Sequence, residues 1–266
     1  MLRNDRERLT VALGLAVLVL PLEVLGELAG VNPLFGARLD VTLVPSLIAL
    51  FLLGYGWSLL VAALSVLWVL LVEPHSWLSA LIRLAPALVF PSLAAFALLR
   101  ISGRRDGGPI PSLFFGGFAI LFGLVLYLAV YPPPSSAAAQ PQALAPGQTA
   151  LVKADAGTLL LGLLPLALTL AFALAVLVGW RRKKPAALEF FSNPSIVGEV
   201  AFAALIIRGT TQAITAYYLL APLLLLTPES AMALAPPLQL FLWGALQAAI
   251  ETVLAWLAVF ALLKRA

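Results

Sequence analysis

What most limits the fold of this chain is its division into apolar runs of bilayer length. Seven runs, at about 9–28, 41–72, 77–100, 109–131, 156–180, 195–225 and 235–263, follow one another with only short polar breaks between most of them. A hydrocarbon core about 30 Å thick is crossed by roughly 20 apolar residues in helical form. Inside it every backbone N–H and C=O must find an internal partner, which leaves helix bundles or closed barrels. The runs are continuous and do not alternate with period two, so the expected fold is all-α, a polytopic membrane helix bundle. Composition agrees: 62% of residues are hydrophobic and 11% charged, against about a quarter charged in a soluble domain.

The run at 41–72 sets the count. As one helix its 32 residues would reach about 48 Å at 1.5 Å per residue, too long for an ordinary span. Gly54, Tyr55 and Gly56 interrupt it, so two short helices are expected, about 41–53 and 57–72, giving about eight transmembrane helices. Basic residues support that count. With eight spans and both termini in the cytoplasm, Arg3, Arg6, Arg8, Arg100, Arg104, Arg105, Arg181, Arg182, Lys183, Lys184, Lys264 and Arg265 share the inner side. Only Arg38 and Lys153 are left outside, with Arg83 and Arg208 inside spans. Seven spans would place two basic clusters outside, against the positive-inside rule. The first run resembles a signal peptide in length, but its n-region carries Asp5 and Glu7 and no small-residue cleavage site follows, so an uncleaved helix is expected.

Several function classes fall away at this stage. No cysteine is present and His75 is the sole histidine, which disfavours thiolate chemistry, a histidine metal centre and a Ser-His-Asp triad. No paired carboxylates or nucleophile–base set share a depth, so neither an enzyme, a metal site nor a cofactor is expected. Segment 132–155, rich in Pro, Ala and Gln, reads as a flexible outer loop. Loop 29–40 is shorter and mixes apolar with charged residues, and Glu73 and His75 read as solvated loop residues.

Polar residues within spans are costly and therefore candidates for function. The seventh span carries Arg208, Thr211, Gln212, Thr215 and Tyr218 at offsets that share a helix face. The eighth carries Gln239, Trp243, Gln247 and Glu251 at successive i+4 steps. Arg208 and Glu251 are expected to form a structural ion pair. Gln212, Tyr217, Tyr218, Gln239, Trp243 and Gln247 lie toward the outer half and either line a ligand pocket or join helices by hydrogen bonds. Arg83 either snorkels to the surface or reads an anionic or carbonyl group of a ligand. In the first span Ala12 and Ala16 form a small-xxx-small pattern suited to a partner helix.

Four stretches resemble the substrate-binding S components of energy-coupling factor (ECF) vitamin transporters, nearest to the riboflavin-type branch. They are Ala12 with Ala16; Leu39-Asp40 through Pro45-Ser46-Leu47-Ile48; Arg208-Gly209-Thr210 through Tyr217-Tyr218 and Pro222; and Pro236-Pro237-Leu238-Gln239 through Lys264-Arg265. The resemblance covers 9–104 and 187–265 and implies a six-helix core, with 105–186 as an inserted two-helix hairpin in one membrane domain. It implies a binding subunit of an ATP-driven importer that takes a small vitamin-like solute from the outer side. Its partners would be a T-component membrane subunit, docked at Ala12 and Ala16, and two ATPase subunits. Solute contacts would come from Asp40, Arg83, Gln212, Tyr217, Tyr218, Gln239, Trp243 and Gln247. Ala216 stands where riboflavin binders carry Asn, Gln239 replaces another Asn and the following Lys is missing, so the riboflavin-contacting set does not carry over. A membrane scaffold or assembly protein without a small-molecule ligand is the alternative.

Overall fold

The computed structural model describes residues 4–21, 43–72, 77–101, 109–131, 156–182, 194–221 and 236–263. Among them are eight helices: α1 (Asp5–Val17), α2 (Leu43–Leu52), α3 (Tyr55–Val72), α4 (Trp77–Ile101), α5 (Ile110–Val130), α6 (Ala156–Arg182), α7 (Pro194–Thr215) and α8 (Pro237–Leu263). A π-helical turn, Ala216–Leu220, continues α7. The chain is a polytopic all-α membrane bundle. Five of the eight helices, α4 to α8, are long and apolar enough to cross a bilayer, and α3 contributes a shorter apolar stretch, Tyr55–Trp68. The expected eight helices are therefore present, while membrane-spanning length belongs to five. Loops 29–40 and 132–155, with Asp40, Glu73 and His75, lie outside the described residues.

Local chemistry explains the boundaries. The side chain of Asn4 caps α1 by accepting from the Arg6 amide, and Asp5 and Glu7 sit in the positive first turn. The break in the 41–72 run falls at Gly54, whose φ of 101° belongs to the left-handed region that glycine enters without Cβ strain. The amides of Leu53 and Gly54 both close on the carbonyl of Ala49, and the Gly54 carbonyl receives Ser58 N–H to begin α3. Tyr55 and Gly56 thus belong to the first turn of α3. The two helices fold back on each other, because Ser58 Oγ donates to the carbonyl of Ser46 at 2.7 Å.

Helix α4 is the centre of the bundle. In its span Leu84–Ile101, 72% of residues are buried, against 28% for α5 and 33% for α6 and α8. It packs on α3, α6, α7 and α2. Tyr55 ties three helices at one point: its hydroxyl hydrogen-bonds Ser92 Oγ on α4 at 2.8 Å and donates to the carbonyl of Ala173 on α6 at 3.2 Å. Pro86, Pro91 and Pro165 lie inside α4 and α6, where neighbouring helices and hydroxyls compensate for lost backbone bonds.

Helices α5 and α6 are woven into the same core as the rest. Phe114, Phe118, Leu121, Val125, Phe172 and Val176 share one buried cluster with Leu47, Leu50, Phe90, Leu98, Ile214 and Tyr217. On α5 the buried residues Phe114, Phe118, Leu121, Val125 and Leu128 recur by alternate fours and threes, the seam of a helix packed along one stripe. Its other faces carry exposed Leu113, Ile120 and Val130, as a lipid-facing helix requires.

Candidate functional site

The most polar part of the interior is the seam between α7 and α8, the most extensive helix pair in the bundle. The two backbones approach closely because glycine stands on both. A Cβ on Gly209 would meet the Phe241 carbonyl oxygen at 2.6 Å, and one on Gly244 would meet the Gly209 Cα at 3.0 Å. Small residues permit such contact in membranes, where dispersion and hydrogen bonds rather than water exclusion hold helices together.

Just below this crossing the Arg208 guanidinium bonds the Glu251 carboxylate. Both residues are about 4% exposed or less. Each charge would be costly alone in this setting, and pairing neutralises the interior. A void of about 10 Å³, room for a single water, adjoins the pair. Leu47 of α2, Pro86, Val89 and Phe90 of α4, Ala204 of α7, and Ala248 and Thr252 of α8 complete its lining. Four helices thus converge on the ion pair, and none of them is α5 or α6.

The two polar stripes meet only in part. On α7, Thr211 and Thr215 are buried, Gln212 is half-buried beside Gly244, and Thr211 donates back to the Ile207 carbonyl at 2.8 Å. On α8, an i+4 step turns 400° at 3.6 residues per turn, so each step drifts about 40° around the helix. Gln247 and Glu251 are buried, Trp243 is half-buried and Gln239 is exposed. The stripe leaves the seam as it climbs. Its upper members line a shallow depression of about 430 Å³ on the outward flank of α8, with Pro236, Leu238, Leu242 and Leu246. Trp243 turns its Nε1 inward, where it is buried and has no hydrogen-bond partner among the described residues; Thr210 Oγ1 is in the same position.

The π turn sets the remaining candidates. Ala221 N–H reaches the Ala216 carbonyl, and the widened turn places Tyr217 fully inside and Tyr218 half-buried. Gly162 of α6 makes room for it: a Cβ there would stand 2.7 Å from the Tyr218 carbonyl carbon and 2.8 Å from the Leu219 nitrogen. Such turns recur at functional sites. Arg83 lies on α4, with its side chain outside the described residues. Ala12 and Ala16 are 0% and 2% exposed, and Ala12 packs with Ala49, Leu53 and Val61 of α2 and α3. The face proposed for partner docking is thus covered by the chain itself, and α1 presents Leu9, Leu13 and Val17 outward instead.

Sequence reading missed the void, the π turn and the part played by Gly162, Gly209 and Gly244. The glycines carried a signal, since small residues inside spans mark close crossings. The void had none, because it depends on four helices separated in sequence. No described group of three or more His, Asp or Glu side chains forms a metal site. Comparison with protein-family models, curated proteins and solved structures returned no match.

Proposed function

We propose that this multi-pass membrane protein is the solute-binding subunit of an ECF-type ATP-driven importer, taking up a small vitamin-like solute from the outer side. The observation that carries the reading is the convergence of α2, α4, α7 and α8 on the buried Arg208–Glu251 pair. Ionisable groups buried inside membrane helices commonly mark a solute pathway, and these are supported from four helices. All four helices belong to the stretches that resemble an S component. Solute would enter above the pair, meeting Gln212, Tyr217 and Tyr218 from α7, Gln247 from α8, and Gln239 and Trp243 as the α8 flank closes. Asp40 and Arg83 would contribute from the outer loop and α4. The chain itself would hydrolyse nothing; partner ATPases acting through a T subunit would drive release inward. Docking of that subunit on Ala12 and Ala16 requires α1 to lift from α2 and α3. Both termini would be cytoplasmic, with the basic flanks on the inner face.

The test is co-expression with a T subunit and its ATPases, followed by affinity capture and mass spectrometry of small molecules released from the purified chain. A captured complex with a defined bound compound supports the reading. Capture of neither overturns it. Gln212→Ala and Trp243→Ala are expected to weaken solute retention with expression intact.

One observation favours the alternative of a scaffold without a ligand. The Gly209–Gly244 crossing and the ion pair suffice to hold α7 on α8. On that reading both alanine variants leave partner capture unchanged and no small molecule co-purifies.

A further inference from the structure

Two interrupted helices touch backbone to backbone at one point of the bundle. On α7 the interruption is the π turn Ala216–Leu220, where the Ala221 amide reaches the Ala216 carbonyl, one residue further back than in an α-helix. Pro222 follows directly and has no amide hydrogen with which to continue a helical ladder. On α6 the interruption is Pro165, which cannot supply the amide that would bond the Leu161 carbonyl. Thr169 Oγ1 donates to the carbonyl of Pro165 at 2.8 Å. Gly162 lies at this break and rests on the π turn. A Cβ there would stand 2.7 Å from the Tyr218 carbonyl carbon and 2.8 Å from both the nitrogen and the Cβ of Leu219.

Gly162 begins the buried stripe of α6, followed by Pro165, Thr169, Phe172 and Val176 at steps of three and four. A side chain facing this stripe can change rotamer to admit a bulkier neighbour, but the backbone of a turn cannot. Among the described glycines, only Gly162 and Gly209 would drive a Cβ closer than 3.0 Å to the backbone of a facing element. Gly209 sets how closely α8 lies on α7, and Gly162 sets where the π turn lies.

The turn carries Tyr217, fully buried, and Tyr218, half-buried, both assigned above to the solute. Their Cα positions belong to the same five-residue backbone that rests on Gly162. We infer that Gly162 is a positioning residue for solute binding, a role that rests on the solute-binding reading: it holds the π turn so that Tyr217 and Tyr218 keep their orientation. Helix α6, outside the stretches that resemble an S component, thereby takes a direct part in shaping the site.

The test is native mass spectrometry of the full chain in mild detergent, following loss of the co-purified small-molecule mass after dilution. Gly162→Ala should release it about tenfold faster than wild type, the equivalent of one misplaced hydrogen bond. Gly117→Ala, whose methyl would press only on the Leu168 side chain, should release it at the wild-type rate. With fluorotyrosine in place of tyrosine, the fluorine resonances of residues 217 and 218 should move in Gly162→Ala, while those of residues 55, 127 and 131 stay. If Gly162→Ala does not fold, deletion of Ala216, which removes the extra residue of the turn beside an unaltered Gly162, is expected to give the same faster release. Release at the wild-type rate from Gly162→Ala, or from the deletion where that variant does not fold, overturns the positioning role and leaves the solute-binding reading intact. Unmoved resonances of residues 217 and 218 do the same. A wild type carrying no small molecule overturns that reading and this role with it.

Discussion

Two helix pairs in this bundle are held by different physics. Helices α7 and α8 cross on Gly209 and Gly244 with their backbones nearly touching, and a buried charge pair fastens them below. Helices α5 and α6 meet through aromatic rings: Phe114 stacks on Phe172 with centroids 4.1 Å apart and planes within 9°. Phe96 of α4 adds an edge contact to Phe172 at 5.4 Å. The first pair concentrates polar groups in the interior, and the second is polar almost nowhere. An aromatic seam tolerates loss of one ring by repacking. A charged seam does not tolerate loss of one partner, because the survivor stays buried. The contrast places the buried polar and charged groups on α7 and α8 and an aromatic packing surface on α5 and α6.

The comparison can be broken most forcefully at the ion pair. Glu251→Ala strands Arg208 and should cost about 3–5 kcal/mol, read as a loss of thermal stability in mild detergent. Arg208→Met combined with Glu251→Leu should recover most of that loss. A double variant no more stable than the single one would contradict the electrostatic account. At the crossing, Gly209→Ala drives a methyl group against the Phe241 carbonyl and should cost about 1–3 kcal/mol. Gly14→Ala, whose added methyl meets nothing within 4 Å, should be close to neutral. In the aromatic seam, Phe172→Leu keeps an apolar side chain but loses the stacked ring, with an expected cost of about 1 kcal/mol. Tyr55→Phe, which removes the hydrogen bonds to Ser92 and Ala173, should cost about 0.6 kcal/mol. Should Phe172→Leu prove more damaging than Glu251→Ala, the two seams would have been ranked the wrong way round.

The bundle was legible in the sequence because hydropathy and the scarcity of charged residues inside the runs report the solvent directly. The broken run at 41–72 was legible too: Gly54 adopts a conformation that other residues resist. Arg208 and Glu251 could be paired in advance because two charges at similar depth have few other ways to be neutralised. The facing of the α8 stripe was only half legible. Four-residue spacing gives a slowly drifting face, and the 40° drift per step carries Gln239 to the outward side while Glu251 stays inside. Ala12 and Ala16 looked free for a partner, since a small-residue pattern does not say whose helix it meets; here the helices are α2 and α3. The place of α5 and α6 in the common core was likewise invisible, because an aromatic cluster drawn from α4, α5 and α6 leaves no mark on any single segment.

Native mass spectrometry of the purified chain in mild detergent, wild type beside a Gln212→Ala, Trp243→Ala double variant, tests the central claim most directly. A solute-binding subunit should carry one small molecule that the folded double variant has lost. A wild type free of any bound small molecule, or a double variant that retains it undiminished, would contradict the assignment of solute binding to the α7–α8 seam.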